Sequence, residues 1–157
     1  MSEPADANQW YWEKRWASFR RGTASIRLAW DGGEARAVVF DVGVPITAKA
    51  ILAALPLAVP VVHAAWSGDM LMSTRAYDDI QARTLENEVR LVRPGDLTWD
   101  PKFGELAFTY GTAECRLPTG PNTLVVYGSI TSGLDAFADF SRRRRFQGIG
   151  ELRIARA

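Results

Sequence analysis

Cysteine and histidine are the scarcest chemically versatile residues in this sequence. Among 157 residues, Cys115 and His63 are each the only one of their type. A single cysteine cannot close an internal disulfide, which fits a reducing compartment. One histidine and one cysteine cannot assemble a tetrahedral zinc set, and the acidic residues are scattered, so no metal site is expected. A basic surplus is also lacking. Nineteen Lys and Arg against 18 Asp and Glu leave a net charge of +1, whereas nucleic-acid binders usually carry a clear excess of positive charge, so no nucleic-acid partner is expected. Long apolar runs are missing. The longest, Ile51 to Ala65, is interrupted by Pro56, Pro60 and His63 and is too short to span a bilayer. The polar start from Met1 to Asp6 has neither the basic opening nor the apolar stretch of a secretion signal. A cytoplasmic protein with no membrane partner is the expectation. No phosphate-cradling glycine loop occurs: Gly148-Ile149-Gly150 lacks a Lys-Ser ending and opens a strand. No cofactor is expected.

The sequence is rich in aromatic residues and in two-residue alternation. Trp12, Trp16 and Phe19 stand at i, i+4 and i+7 in an N-terminal arm, residues 1–21, which holds three of the six tryptophans. That spacing marks one face of a short helix, which must bury against something to be stable. The face can pack on the protein's own barrel, on a second copy in a homo-oligomer, or over a pocket as a flap. From Ala24 the period becomes two. Ile26, Leu28 and Trp30 alternate with smaller or polar residues, Asp31-Gly32-Gly33-Glu34 signals a turn, and Ala35 to Val42 returns. This is a β-hairpin. Pro45 to Pro56 reads as a helix, with Thr47 as its capping residue and prolines as its stop. Further strands are expected over Val61–Trp66, Met70–Ser73, Glu86–Val92, Leu97–Trp99, Glu105–Tyr110, Thr123–Ile130 and Glu151–Ala155. A short helix is expected over Leu134–Phe140. Many short strands with frequent turns and two short helices favour a mainly β, closed antiparallel barrel over residues 22–157 as one domain.

The order of these elements carries a family resemblance. A helix ending in Leu55-Pro56-Leu57 leads to a strand running into Trp66-Ser67-Gly68-Asp69. Then come Glu86-Asn87, Arg93-Pro94-Gly95-Asp96-Leu97-Thr98-Trp99, and Gly104-Glu105-Leu106-Ala107-Phe108-Thr109-Tyr110-Gly111. Asn122 and Gly148 precede the last two strands. Over about Thr23 to Ala157 this resembles a group of small uncharacterised bacterial proteins with a cyclophilin-like barrel. The resemblance implies eight strands with helices at the barrel ends. It does not imply prolyl isomerase activity, because the Phe-His-Arg strand of those isomerases is absent and His63 lies in Val62-His63-Ala64. Related barrels also occur in amide- and urea-processing enzymes, which points toward a small amide or carboxylate.

Chemistry then rests on a few side chains. Trp66, Ser67, Trp99, Tyr110 and Gly111 are the expected ligand-binding set, since aromatics with polar tips at strand ends line a cavity mouth or fill a core. His63 is the expected proton-transfer residue, by its near-neutral pKa. Glu86 is the alternative proton-transfer residue; with Asp96 and Glu105 it is one of the carboxylates expected near strand ends, any of which can act as a base if buried. Asp96 also suits capping its own turn. Cys115 reads as an inert small residue. The run Arg142 to Arg145 belongs to a solvated helix end, or it guides an anionic substrate. The functional expectation is a small-molecule-binding barrel, of hydrolase or isomerase type if it is an enzyme. The alternative is a non-catalytic module that binds a peptide or partner through the barrel surface and the Trp-rich arm.

Overall fold

The computed structural model describes residues 18–157. The tryptophans of the arm, Trp10, Trp12 and Trp16, lie outside the described residues. Phe19, the last member of their stripe, is buried against Phe40 with ring centroids 6.0 Å apart.

The hairpin forms as its alternation predicts. Strand β1 (Ala24–Trp30) pairs antiparallel with β2 (Gly33–Val39), Leu28 opposite Ala35 and Ile26 opposite Ala37. Helix α1 (Pro45–Ala54) follows, then β3 (Leu57–His63), a 3-10 turn (Ala65–Ser67) and β4 (Gly68–Ser73). After a long loop holding the short β5 (Glu88–Val89) come β6 (Asp96–Asp100) and β7 (Glu105–Ala113). A small hairpin of β8 (Arg116–Leu117) and β9 (Gly120–Pro121) precedes β10 (Leu124–Ser132), helix α2 (Leu134–Gln147) and β11 (Gly150–Arg156). Eight strands close on themselves in the order β1, β11, β3, β4, β7, β6, β10, β2, and every pairing is antiparallel. Strand β5 adds to the side of β10.

Alternation sorts each strand into two faces. Ile26, Leu28, Val59, Val61, Leu71, Leu97, Trp99, Leu106, Phe108, Tyr127, Leu152 and Ile154 form one core inside the cylinder. An eight-stranded barrel is just wide enough for such side chains to fill. Each fully buried residue of this kind contributes about 1.5–3 kcal/mol of transfer free energy. Phe137, Ala138 and Phe140 of α2 and Ala48 and Ile51 of α1 join that core. A second, outer cluster gathers Phe19, Phe40, Val44, Met70, Ala107, Cys115 and Val125. No helix among the described residues is long and apolar enough to cross a membrane.

Four local readings are corrected. Thr47 does not cap α1. It lies inside the helix, fully buried, and the first-turn N–H groups of Ile46 and Thr47 instead donate to the Glu86 carboxylate at 3.0 and 2.8 Å. Strand β3 begins at Leu57 and runs through Pro60, which forfeits a ladder donor but whose carbonyl accepts the Thr74 N–H at 3.0 Å. Only Glu88–Val89 of the expected Glu86–Val92 strand pairs. Helix α2 continues through all four arginines to Gln147, because arginine is a good helix former and Asp139 pairs with Arg142 and Arg143 at i+3 and i+4. The turn at Arg93-Pro94-Gly95-Asp96 forms as read. Gly95 takes φ 93°, which type II geometry demands at its third position, and the Asp96 N–H donates to Arg93 O at 3.0 Å.

Candidate functional site

The inward face of β3 runs Val59, Val61, His63, and that of β7 runs Leu106, Phe108, Tyr110. Both series therefore deliver a polar ring to the same end of the barrel. Tyr110 Oη lies 2.6 Å from His63 Nε2, and the rings meet edge to face with centroids 5.6 Å apart. Helix α2 packs its Phe137 and Phe140 into the core and then carries Arg142 and Arg145, three residues apart, over this pair. The Arg142 guanidinium sits 5.8 Å from the Tyr110 ring centroid. Arg145 Nε donates to His63 Nε2 at 3.2 Å, and its guanidinium reaches Asp69 Oδ1 at 3.6 Å. Asp69 is held in turn by the Thr112 N–H, donating to Oδ2 at 3.1 Å. A side chain at position 111 would overlap the Asp69 carboxylate, which explains Gly111.

These contacts fix the protonation pattern. An arginine Nε only donates, so His63 Nε2 is the acceptor and Nδ1 carries the ring hydrogen. Tyr110 Oη faces the same nitrogen, so the phenol and Arg145 Nε share its single lone pair. His63 Nδ1 is buried and has no hydrogen-bond partner among the described residues. Burial lowers the His63 pKa and Arg145 lowers it further, against an opposing effect of Asp69. Burial raises that of Tyr110, helped by Asp69 and opposed by Arg145 and Arg142. Both rings are thus neutral near pH 7, a phenol hydrogen-bonded to an imidazole, roofed by two cations.

The other expected site residues go elsewhere. Glu86 is bound to the start of α1, with no hydrogen bond or ion pair to His63. Trp99 is fully buried inside the barrel, where its indole N–H donates to Ala82 O at 3.0 Å. Trp66 and Ser67 line a separate cleft of about 330 Å³ on the outside of the sheet, together with Met70, Phe103, Glu105 and Arg116. Cys115 is buried and its thiol is pushed up to about 12 by burial, which keeps it protonated and inert. A broader cleft of about 720 Å³ runs between Trp30, Phe140 and the arginines of α2. Its cations are already answered: Arg153 by Asp31 and Glu151, Arg143 by Asp139, and Arg144 by Phe140 O and Gln147. Among the described residues, no three His, Cys, Asp or Glu side chains gather as a metal-ligand set.

Sequence reasoning missed Asp69 and the two arginines as partners of His63. The signal for the arginines was present: Phe137, Ser141 and Arg145 are spaced by four, and they share a face once the helix is allowed to run past Phe140.

No curated protein matches this chain. Among solved structures, the fold is similar to that of McbB, determined in complex with tryptophan, with a TM-score of 0.69 and 20% identity over 83% of this chain and 44% of that one. The chain thus spans less than half the length of that relative. It is also similar to the hypothetical protein AF2241 from Archaeoglobus fulgidus, with a TM-score of 0.59 and 18% identity over 87% and 98% of the two chains. Likeness at these identities shows a shared barrel. The family described as a protein of unknown function, DUF3830, matches residues 26–155, nearly the whole barrel, and the chain belongs to that family.

Proposed function

We propose that this protein is a cyclophilin-like barrel that binds a small carboxylate or amide at the end of the cylinder capped by α2. The observation that carries the reading is the 2.6 Å contact between Tyr110 and His63 beneath Arg145. Arg145 and Arg142 each hold one exposed carboxylate, Asp69 and Asp139, at 3.6 Å, and with donors left over they supply positive charge for a ligand carboxylate or for the carbonyl oxygen of an amide. Tyr110 and His63, joined by a short hydrogen bond, are the pair that would hold or relay a proton at this site. A ligand approaches from the solvent side, where the side chains of Arg145 and Asp69 are 44% and 38% exposed. The solved tryptophan complex of McbB, a chain of the same barrel fold, supports a small-molecule role.

The test is a thermal-shift panel of small carboxylic acids, amides and cyclic ureas, read alongside the His63 ring signals by NMR. A ligand of this site raises the unfolding midpoint by mass action and moves the His63 resonances. Arg145→Gln abolishes both effects. A panel that moves neither signal overturns the proposal.

A further inference from the structure

The outer face of the barrel holds a second place for a ligand, with chemistry opposite to that of the His63 end. On β4, Leu71 points inward, so Met70 and Met72 point out. On β7, Leu106 and Phe108 point inward, so Glu105 and Ala107 point out. These outward residues, the Trp66 turn and the β8–β9 hairpin enclose the cleft of about 330 Å³, a volume suited to a small organic molecule. Two large apolar side chains on its lining stay open to solvent, Trp66 at 40% and Phe103 at 49% exposure.

The polar groups in the cleft decide the sign of the ligand. Asp100 stands opposite Glu105 in the β6–β7 register, but its carboxylate is fully answered. It accepts from the Lys102 N–H at 2.9 Å and Asn122 Nδ2 at 3.0 Å, and pairs with Lys102 Nζ at 3.0 Å. Glu105 has neither a hydrogen bond nor an ion pair to its carboxylate among the described residues. Burial raises its pKa and the neighbouring Asp100 adds to the rise, so the negative charge there is costly without a partner. Arg116 also lines the cleft, but its guanidinium is drawn to Glu114 at 3.8 Å rather than to Glu105.

We propose that this cleft binds a small organic ammonium ion, its charge on the Glu105 carboxylate and its apolar body on Met70, Met72, Trp66 and Phe103. A cation gains twice here, by pairing a desolvated carboxylate and by lying against aromatic faces. An anion of the same shape meets the unpartnered Glu105 carboxylate and is repelled.

The test uses the full chain with 2-phenylethylammonium as the probe, and phenylacetate and 2-phenylethanol as its anionic and neutral counterparts. Met70 and Met72 line the cleft and the sequence holds only one other methionine, Met1, so their methyl NMR signals report occupancy directly. The ammonium is expected to shift them saturably, at least about tenfold more tightly than either counterpart, the ratio that one charge-assisted hydrogen bond supplies. Glu105→Gln is expected to remove that advantage and Trp66→Ala to weaken binding, both without loss of native His63 signals, and Glu105→Gln without any fall in the unfolding midpoint. Equal binding of all three probes, no saturable shift with the ammonium, or full-strength binding to Glu105→Gln overturns the proposal. If Glu105→Gln fails to fold, the comparison of the three probes on the unaltered chain still decides it.

Discussion

Tyr110 and His63 are joined by a 2.6 Å hydrogen bond at the one place where the inward series of β3 and β7 both end in a polar ring. The consequence is a histidine that the fold prefers neutral. Burial and Arg145 depress its pKa below the ordinary 6.5. A depressed histidine contributes stability that is fully present above the unfolded-state pKa and is lost as pH falls through the folded-state value. The unfolding midpoint of the native chain should therefore fall on acidification below about 6.5 by more than that of His63→Gln. Carboxylates that also titrate at low pH, such as Asp41 held by Thr23, contribute equally to both chains and cancel in the difference. Parallel curves for the two proteins would show that the ring is not held neutral.

The charges around His63 act on it with opposite signs, which gives a paired prediction. Arg145 disfavours the imidazolium and Asp69 favours it. Arg145→Gln should raise the ring pKa, and Asp69→Asn should lower it, read by NMR titration of the only histidine in the chain. Movement of both variants in the same direction would mean that a rearrangement of α2, rather than charge, governs the ring.

Much of the barrel could be read from the chain because half-buried strands announce themselves by period two. β1 and β2 are of this kind, with Ile26-Leu28-Trp30 as the inward set of β1, while β7 is buried on both faces and shows its period by alternating large Leu106, Phe108 and Tyr110 with small Ala107 and Thr109. The site was legible only in its ring residues. Trp99 and Tyr110 both sit inward on adjacent strands, and alternation alone cannot tell a barrel centre from a barrel end. The indole ended deep inside on Ala82 O, and the phenol at the rim on His63. Asp69 and Arg145 are 76 residues apart and meet only because β4 and the last turns of α2 share that rim. Glu86 was misplaced for a related reason. A carboxylate 39 residues downstream of a helix start leaves no local signature as its cap.

That cap yields a third prediction. The Glu86 carboxylate accepts two of the N–H groups that an α-helix leaves unsatisfied at its start, and its charge complements the helix dipole there. Glu86→Ala should cost about 1 kcal/mol, or about 2–4 °C in unfolding midpoint for a chain of this size. It should leave the His63 titration unchanged. Loss of ligand binding at the barrel end with unchanged stability would instead return Glu86 to a role in proton transfer.

A two-pronged ion pair ties the segment ahead of β1 to the start of β6. Arg20, just ahead of β1, makes two parallel hydrogen bonds to Asp96 at the start of β6, at 2.8 and 2.7 Å. The Asp96 side chain is completely buried and that of Arg20 is 14% exposed. The guanidinium lies 5.1 Å from the Phe19 ring centroid and 5.8 Å from that of Phe40. Asp96 also accepts the Arg93 N–H at 2.9 Å, closing the Pro-Gly turn. Removing only the cation strands a buried carboxylate, so Arg20→Met should cost about 3–5 kcal/mol. Removing both charges, as Arg20→Met with Asp96→Leu, forfeits the turn contact at about 1 kcal/mol but abolishes the stranded charge. The double variant should therefore be more stable than Arg20→Met alone, as read from urea unfolding. A double variant as damaged as the sum of the two single changes would mean that the pair is not coupled and that each residue acts through its own packing.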